Sequence, residues 1–188
     1  VSLTAWVFLL LMTKVPPERH DGSPWEEPRY EAWRRYAHIA SAIDTTCSDA
    51  PRLPRGCNTT KCCAALLSAI AIGESNLARD ADEGPCYRVG PRYERRCDRG
   101  RAASVFQCQR ISPLVSVSDL FASREVAAKQ ALMVASASLA KCGKLDPRDK
   151  LSGLSGRCID GPGPWRARYA LWLTLRAWEP PAKKEPAP

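Results

Sequence analysis

Histidine is almost missing from the chain. His20 and His38 are the two present, and both lie far from any cysteine in sequence. No two cysteines fall in the C-x2-C spacing. Zinc sites are built from such clusters, so neither a zinc finger nor a metal-dependent reaction is expected, and no cofactor motif is present. An apolar run of membrane-spanning length is also lacking. Val7-Phe8-Leu9-Leu10-Leu11-Met12 lies in an apolar start, Val1 to Met12, that is too short to cross a bilayer. Basic residues outnumber acidic ones, 28 to 20, for a formal net charge of +8. They form no long Lys/Arg run and gather only loosely between Arg88 and Arg101. The balance allows an anionic partner, nucleic acid or bacterial cell wall. With no recognition motif present, nucleic acid is not expected. There are no internal repeats.

Cysteine, by contrast, is abundant: nine in 188 residues. Such usage points to an oxidising compartment and a disulfide framework. Nine is odd, so at least one thiol stays free or pairs with another molecule. Cys86 with Cys97 would pin the segment around Gly90-Pro91, and Cys142 with Cys158 would tie the last two helices. Cys47, Cys57, Cys62, Cys63 and Cys108 leave several pairings open. Cys62 and Cys63 are neighbours on a helix and point in different directions, so they are not expected to pair with each other. Val1 to Met12 has the character of a secretory signal core, although no basic segment precedes it and no small-x-small site follows. The expected organisation is a signal-like or anchor segment and linker over 1–28, one domain over 29–178, and a disordered Pro/Lys tail over 179–188.

Within the domain the pattern is mainly helical. A first helix is predicted from about Pro28 to Thr46, with Trp33, Tyr36, Ala37, Ala40 and Ile43 on one face. Asn58 or Thr59 is placed to cap a second helix running to about Asn76. Leu77 to Gln109 is polar and lacks helical periodicity; it reads as an irregular loop or small β-hairpin, with a short helix beginning at Ser104-Val105-Phe106-Gln107. Helix returns over Ser118 to Cys142, with Ser123 as a cap and Gly143 as a stop. Its many alanines allow neighbouring helices to approach closely. Pro164 suits the first turn of a last helix to about Trp178, with Tyr169, Trp172 and Arg176 on one face and Leu171, Leu175 and Trp178 on another.

Glu74 stands out. It ends the apolar run Cys62 to Gly73 and is followed by Ser75-Asn76. Burial disfavours an ionised carboxyl group, and the negative end of the helix dipole disfavours it further. Both push its pKa toward the range in which a carboxylic acid donates a proton at neutral pH. The same position also suits an ordinary solvated helix end.

Gly73-Glu74-Ser75-Asn76 at the end of a helix, then Ala102-Ala103-Ser104-Val105-Phe106-Gln107, resembles the lysozyme-like superfamily, in particular lytic transglycosylases and peptidoglycan lysozymes of phages and bacteria. Those proteins carry a helix-terminal Glu-Ser and then a Gly-Leu-Met-Gln-like or Gly-Leu-Phe-Gln-like segment. Leu151 to Cys158, followed by a closing helix, is similar to their Ala-Tyr-Asn-x-Gly region, although the tyrosine is absent here. Gly73 before the acid and Cys108 after the glutamine also depart from the pattern. The resemblance covers roughly Trp33 to Trp178. It implies an α+β lysozyme-like fold, mainly α, with helices around a cleft and a small disulfide-bonded insertion. It implies cleavage of the β-1,4 bond between N-acetylmuramic acid and N-acetylglucosamine, with Glu74 as general acid and then base. The implied partner is the peptidoglycan glycan strand, met by a monomer that is secreted, periplasmic or held in the cell envelope, of cellular or phage origin. Ser75 and Gln107 are implied as substrate contacts. Tyr87 and Tyr93 would offer stacking faces to sugar rings. Asp80, Asp82, Glu83, Glu94 and Asp98 are the candidates for a second carboxylate. The competing reading is a non-catalytic cell-wall-binding module on a degenerate lysozyme-like fold.

Overall fold

The computed structural model of the chain describes residues 1–17, 27–83, 102–109 and 115–181. It is mainly helical with almost no strand. In chain order the elements are α1 (Leu3–Lys14), α2 (Arg29–Ser48), α3 (Thr60–Ser75), the one-turn α4 (Arg79–Asp82), β1 (Ala102–Ala103), β2 (Cys108–Gln109), α5 (Val117–Ala122), α6 (Arg124–Lys141) and α7 (Pro164–Arg176). Two 3-10 turns, Pro147–Asp149 and Ser152–Ser155, lie between α6 and α7.

The axis of the fold is α3. Every residue from Cys62 to Ala71 is buried, as expected of a helix that is apolar on all sides. Helices α1, α2, α6 and α7 all pack against it. It starts where the Thr59 hydroxyl accepts a hydrogen bond from the Cys62 N–H, and it stops where Asn76 turns into the left-handed region. Asparagine tolerates that conformation better than most residues.

The apolar start of the chain lies largely in α1, which packs against α2 and α3. Trp6, Val7, Leu10 and Leu11 are buried there, and each fully buried Val or Leu contributes about 1.5–3 kcal/mol of transfer free energy. The Trp6 ring meets Trp178 edge to face at 5.7 Å, and its Nε1 donates to the Trp178 carbonyl. Among the described residues no helix is long and apolar enough to cross a membrane.

Three disulfides hold the described chain. Cys47–Cys63 joins the end of α2 to the start of α3, Cys57–Cys62 ties the preceding loop to the same turn, and Cys142–Cys158 links the end of α6 to the loop before α7. The last is the pairing expected from sequence. The expected Cys86–Cys97 pair lies outside the described residues, as do the basic cluster and residues 182–188 of the tail.

Two buried ionic nodes complete the frame. Asp82 on α4 receives the Arg124 guanidinium through Nε and Nη2 and also faces Arg35, which in turn binds Glu27. Asp149 accepts hydrogen bonds from the Gly161 N–H, the Trp165 indole and the Arg166 guanidinium. Arg166 in particular holds the Asp149 carboxyl well below the usual carboxylate range.

Several expectations need correcting. Ser104 to Gln107 is not a helix start. It is the tight turn between β1 and β2, which pair antiparallel with Ala102 opposite Gln109 and Ala103 opposite Cys108. The helix predicted over Ser118 to Cys142 is broken at Ser123, whose extended backbone ends α5 and whose side chain caps α6. Trp33 lies at the surface, 43% exposed, with the Arg29 guanidinium over its ring, rather than in the core. In α7 Trp172 and Leu175, one from each predicted face, are buried together with Trp165, and Tyr169 and Leu171, with Trp178 just past the helix, pack partly buried against the same core.

Candidate active site

A cleft of about 1060 Å³ opens beside the C-terminal end of α3. Its floor is Gly73, Glu74, Ser75 and Asn76. One wall is the β1–β2 hairpin with Phe106, Gln107 and Cys108; the other is α6, with Ala131, Met133, Val134 and Ala137, continued by the 3-10 turn from Gly153 to Gly156. Three stretches that sequence set apart, around Glu74, Gln107 and Gly153, therefore border one cavity. Its volume is at the upper end of small-molecule sites.

Glu74 keeps 21% of its side chain exposed, and its Oε2 lies 3.0 Å from Nη2 of Arg168 on α7. Burial raises its pKa above the ordinary carboxylate value even though the Arg168 charge and hydrogen bond act the other way. The group is thus poised between a neutral acid and an ion pair. Cys108 lies buried across the cleft and is the free cysteine of the described chain. Burial and the nearby Glu74 carboxylate push its thiol up to about 12, so it stays protonated and unreactive.

Backbone strain gathers at the same place. Asn76, Leu77, Ser104 and Gln107 are the non-glycine residues of positive φ among those described, at 52°, 56°, 66° and 49°. All but Asn76 lack the side chain that eases this conformation, which costs on the order of 1–2 kcal/mol per residue. Two of these residues follow Glu74 and two belong to the hairpin turn facing it. Strain of this kind concentrates at functional sites.

Ser75 lines the cleft, but its hydroxyl is engaged locally, donating to the Ala71 carbonyl and accepting from the Leu77 N–H. Gln107 also lines the cleft, and its Nε2 donates to the Ser104 carbonyl across the turn. Phe106 is almost wholly buried and belongs to the core. Tyr87, Tyr93, Glu94 and Asp98 lie outside the described residues. Asp80 and Asp82 are buried in α4, and neither they nor Glu83 line the cleft. Asp82 and Glu83 are bound by Arg124. Among the described residues, Glu74 is the carboxylate of the cleft.

The sequence alone does not single out Arg168, although it carries a signal. Trp165, Arg168, Trp172 and Leu175 recur at three- and four-residue steps, and Arg168 is the one charge in that apolar stripe. A charge on a buried face implies a partner of opposite sign.

No family model, curated protein or solved structure matches the chain.

Proposed function

We propose that the protein cleaves peptidoglycan glycan strands between N-acetylmuramic acid and N-acetylglucosamine, with Glu74 as the acid. The observation that carries this reading is the placement of Glu74. A half-buried carboxyl group, inclined to hold its proton, sits on the floor of a cleft roomy enough for sugar rings. Glu74 gives its proton to the glycosidic oxygen as the bond to the muramic C1 breaks, leaving an oxocarbenium-like centre and a carboxylate. In the lytic transglycosylase course Glu74 then turns base. The Glu74 carboxylate takes the proton of the muramic C6 hydroxyl, that oxygen bonds to C1, and a 1,6-anhydro ring forms without consuming water. A lysozyme would instead add water at C1. The disulfides fit a secreted, periplasmic or envelope-bound protein.

The test is incubation with purified cell walls beside Glu74→Gln. Wild-type protein releases soluble muropeptides, with anhydro ends if it is a transglycosylase. The variant loses at least about a hundredfold of the rate, as removal of a general acid does. Equal release by both proteins removes Glu74 from the reaction. Reducing ends in place of anhydro ends would make the protein a hydrolase. Wall binding without release by wild type would make it a binding module.

A further inference from the structure

We propose that Arg168 is a positioning residue that holds the Glu74 carboxyl group by one oxygen, and that position 73 is glycine so that Arg168 can reach it. Its bearing on catalysis rests on the reading of Glu74 given above. The geometry itself does not.

Arg168 comes to Glu74 along the backbone of α3. A Cβ built on Gly73 would lie 2.8 Å from Cγ of Arg168, 3.4 Å from its Nε and 3.5 Å from its Cδ. The first distance is shorter than real carbon contacts allow. The arginine stem therefore runs through the space that any side chain at 73 would fill. Gly73 costs α3 helix propensity relative to alanine, and its φ is not in the left-handed region. Clearance for Arg168 is what the glycine supplies.

The contact that results is one-sided. Nη2 meets Oε2, while Nε is buried with no hydrogen-bond partner among the described residues. A bidentate fork would engage both carboxylate oxygens and favour the ion strongly. Here that fork is not completed through Nε, and the 3.0 Å contact runs between Nη2 and Oε2. Near Glu74 stands the neutral Cys108 thiol from β2; elsewhere the cleft is lined by Lys141 on the α6 wall and by Ala81 of α4. Arg168 is the charge that opposes burial and the helix dipole, and it keeps the acid titratable rather than permanently neutral.

The experiment follows the Glu74 carboxyl carbon by NMR through a pH titration, with Glu74→Gln identifying its signal. In Arg168→Gln the midpoint rises by about one pH unit or more, the shift expected when a carboxyl loses an adjacent guanidinium. Arg168→Lys keeps a charge and shifts it less. Gly73→Ala leaves Arg168 in the chain but displaces it, so the midpoint also rises. The double variant Gly73→Ala/Arg168→Gln moves no further than Arg168→Gln alone. On cell walls, the basic limb of the pH–rate profile moves upward with each midpoint, whereas mere loss of stability would lower the rate without moving the limb. An unmoved midpoint in Arg168→Gln overturns the proposal. A shift in Arg168→Gln with none in Gly73→Ala overturns the role given to the glycine. Walls left intact by wild type would remove the glycosidase reading, and the titration would still decide whether Arg168 holds Glu74.

Discussion

Gly153→Ala tests how the cleft is built. Gly153 sits in the second 3-10 turn, pressed against Ser138 on α6. An added Cβ would fall 2.5 Å from Ser138 Oγ, 2.9 Å from its Cβ and 3.0 Å from its Cα. Rotation of the serine relieves the first contact only, because the other two involve Cβ and backbone. Overpacking of this kind costs about 1–3 kcal/mol. Moving the hydroxyl also breaks its 2.7 Å hydrogen bond to the Lys150 carbonyl, worth about 1 kcal/mol. The expected destabilisation is therefore about 2–4 kcal/mol. For a protein of this size that lowers Tm by about 4–16 °C. The assay is thermal and denaturant unfolding of wild type, Gly153→Ala, Ser138→Gly and the double variant. Ser138→Gly removes two of the three clashing atoms, so the double variant is less destabilised than the sum of the singles by about 1 kcal/mol or more. A Gly153→Ala protein within about 0.5 kcal/mol of wild type, the range of ordinary surface changes, would refute the claim that this approach is tight. The cleft wall would then have to be regarded as yielding.

Other expectations are as definite. Replacing Cys142 and Cys158 together by serine opens a cross-link of sequence separation 16 and lowers stability by about 3 kcal/mol, measured by urea unfolding. Thr59→Ala removes the acceptor for the Cys62 N–H and costs about 1 kcal/mol, read from the same curves. Asp149 is held ionised in the fold, above all by Arg166, and its pKa is lowered. Its contribution to stability is complete above the unfolded value of about 3.9 and is lost as pH falls below it. Asp149→Asn flattens the fall of Tm over that acid range, and an unchanged slope would contradict the role of this node.

Much of the fold could be read from local chemistry. Thr59, Ser123 and Pro164 open helices where their side chains or ring predict, because a cap is decided within four residues. The apolar run before Glu74 was recognisable as a buried helix for the same reason. What failed was long-range. Ser104-Val105-Phe106-Gln107 reads as a helix start, but Ala102 to Ala103 pairs with Cys108 to Gln109, and that pairing forces two left-handed residues into the turn. Arg168 lies far along the chain from Glu74, and nothing local joins them. Gly73, unusual before the acid in sequence, is the trace of that contact: one residue's missing side chain records another's path.

The buried thiol of Cys108 has a further use. It sits in β2 against α6, its Sγ 3.7 Å from the Ala127 carbonyl. It borders the cleft but is nearly buried at rest, so an alkylating reagent reaches it faster when the hairpin lifts from that helix. The rate of labelling is thus a clock for opening of the cleft wall, read at one atom without any introduced probe. A ligand that bridges the hairpin and α6 would slow the clock, so occupancy of the cleft can be followed before any product is known.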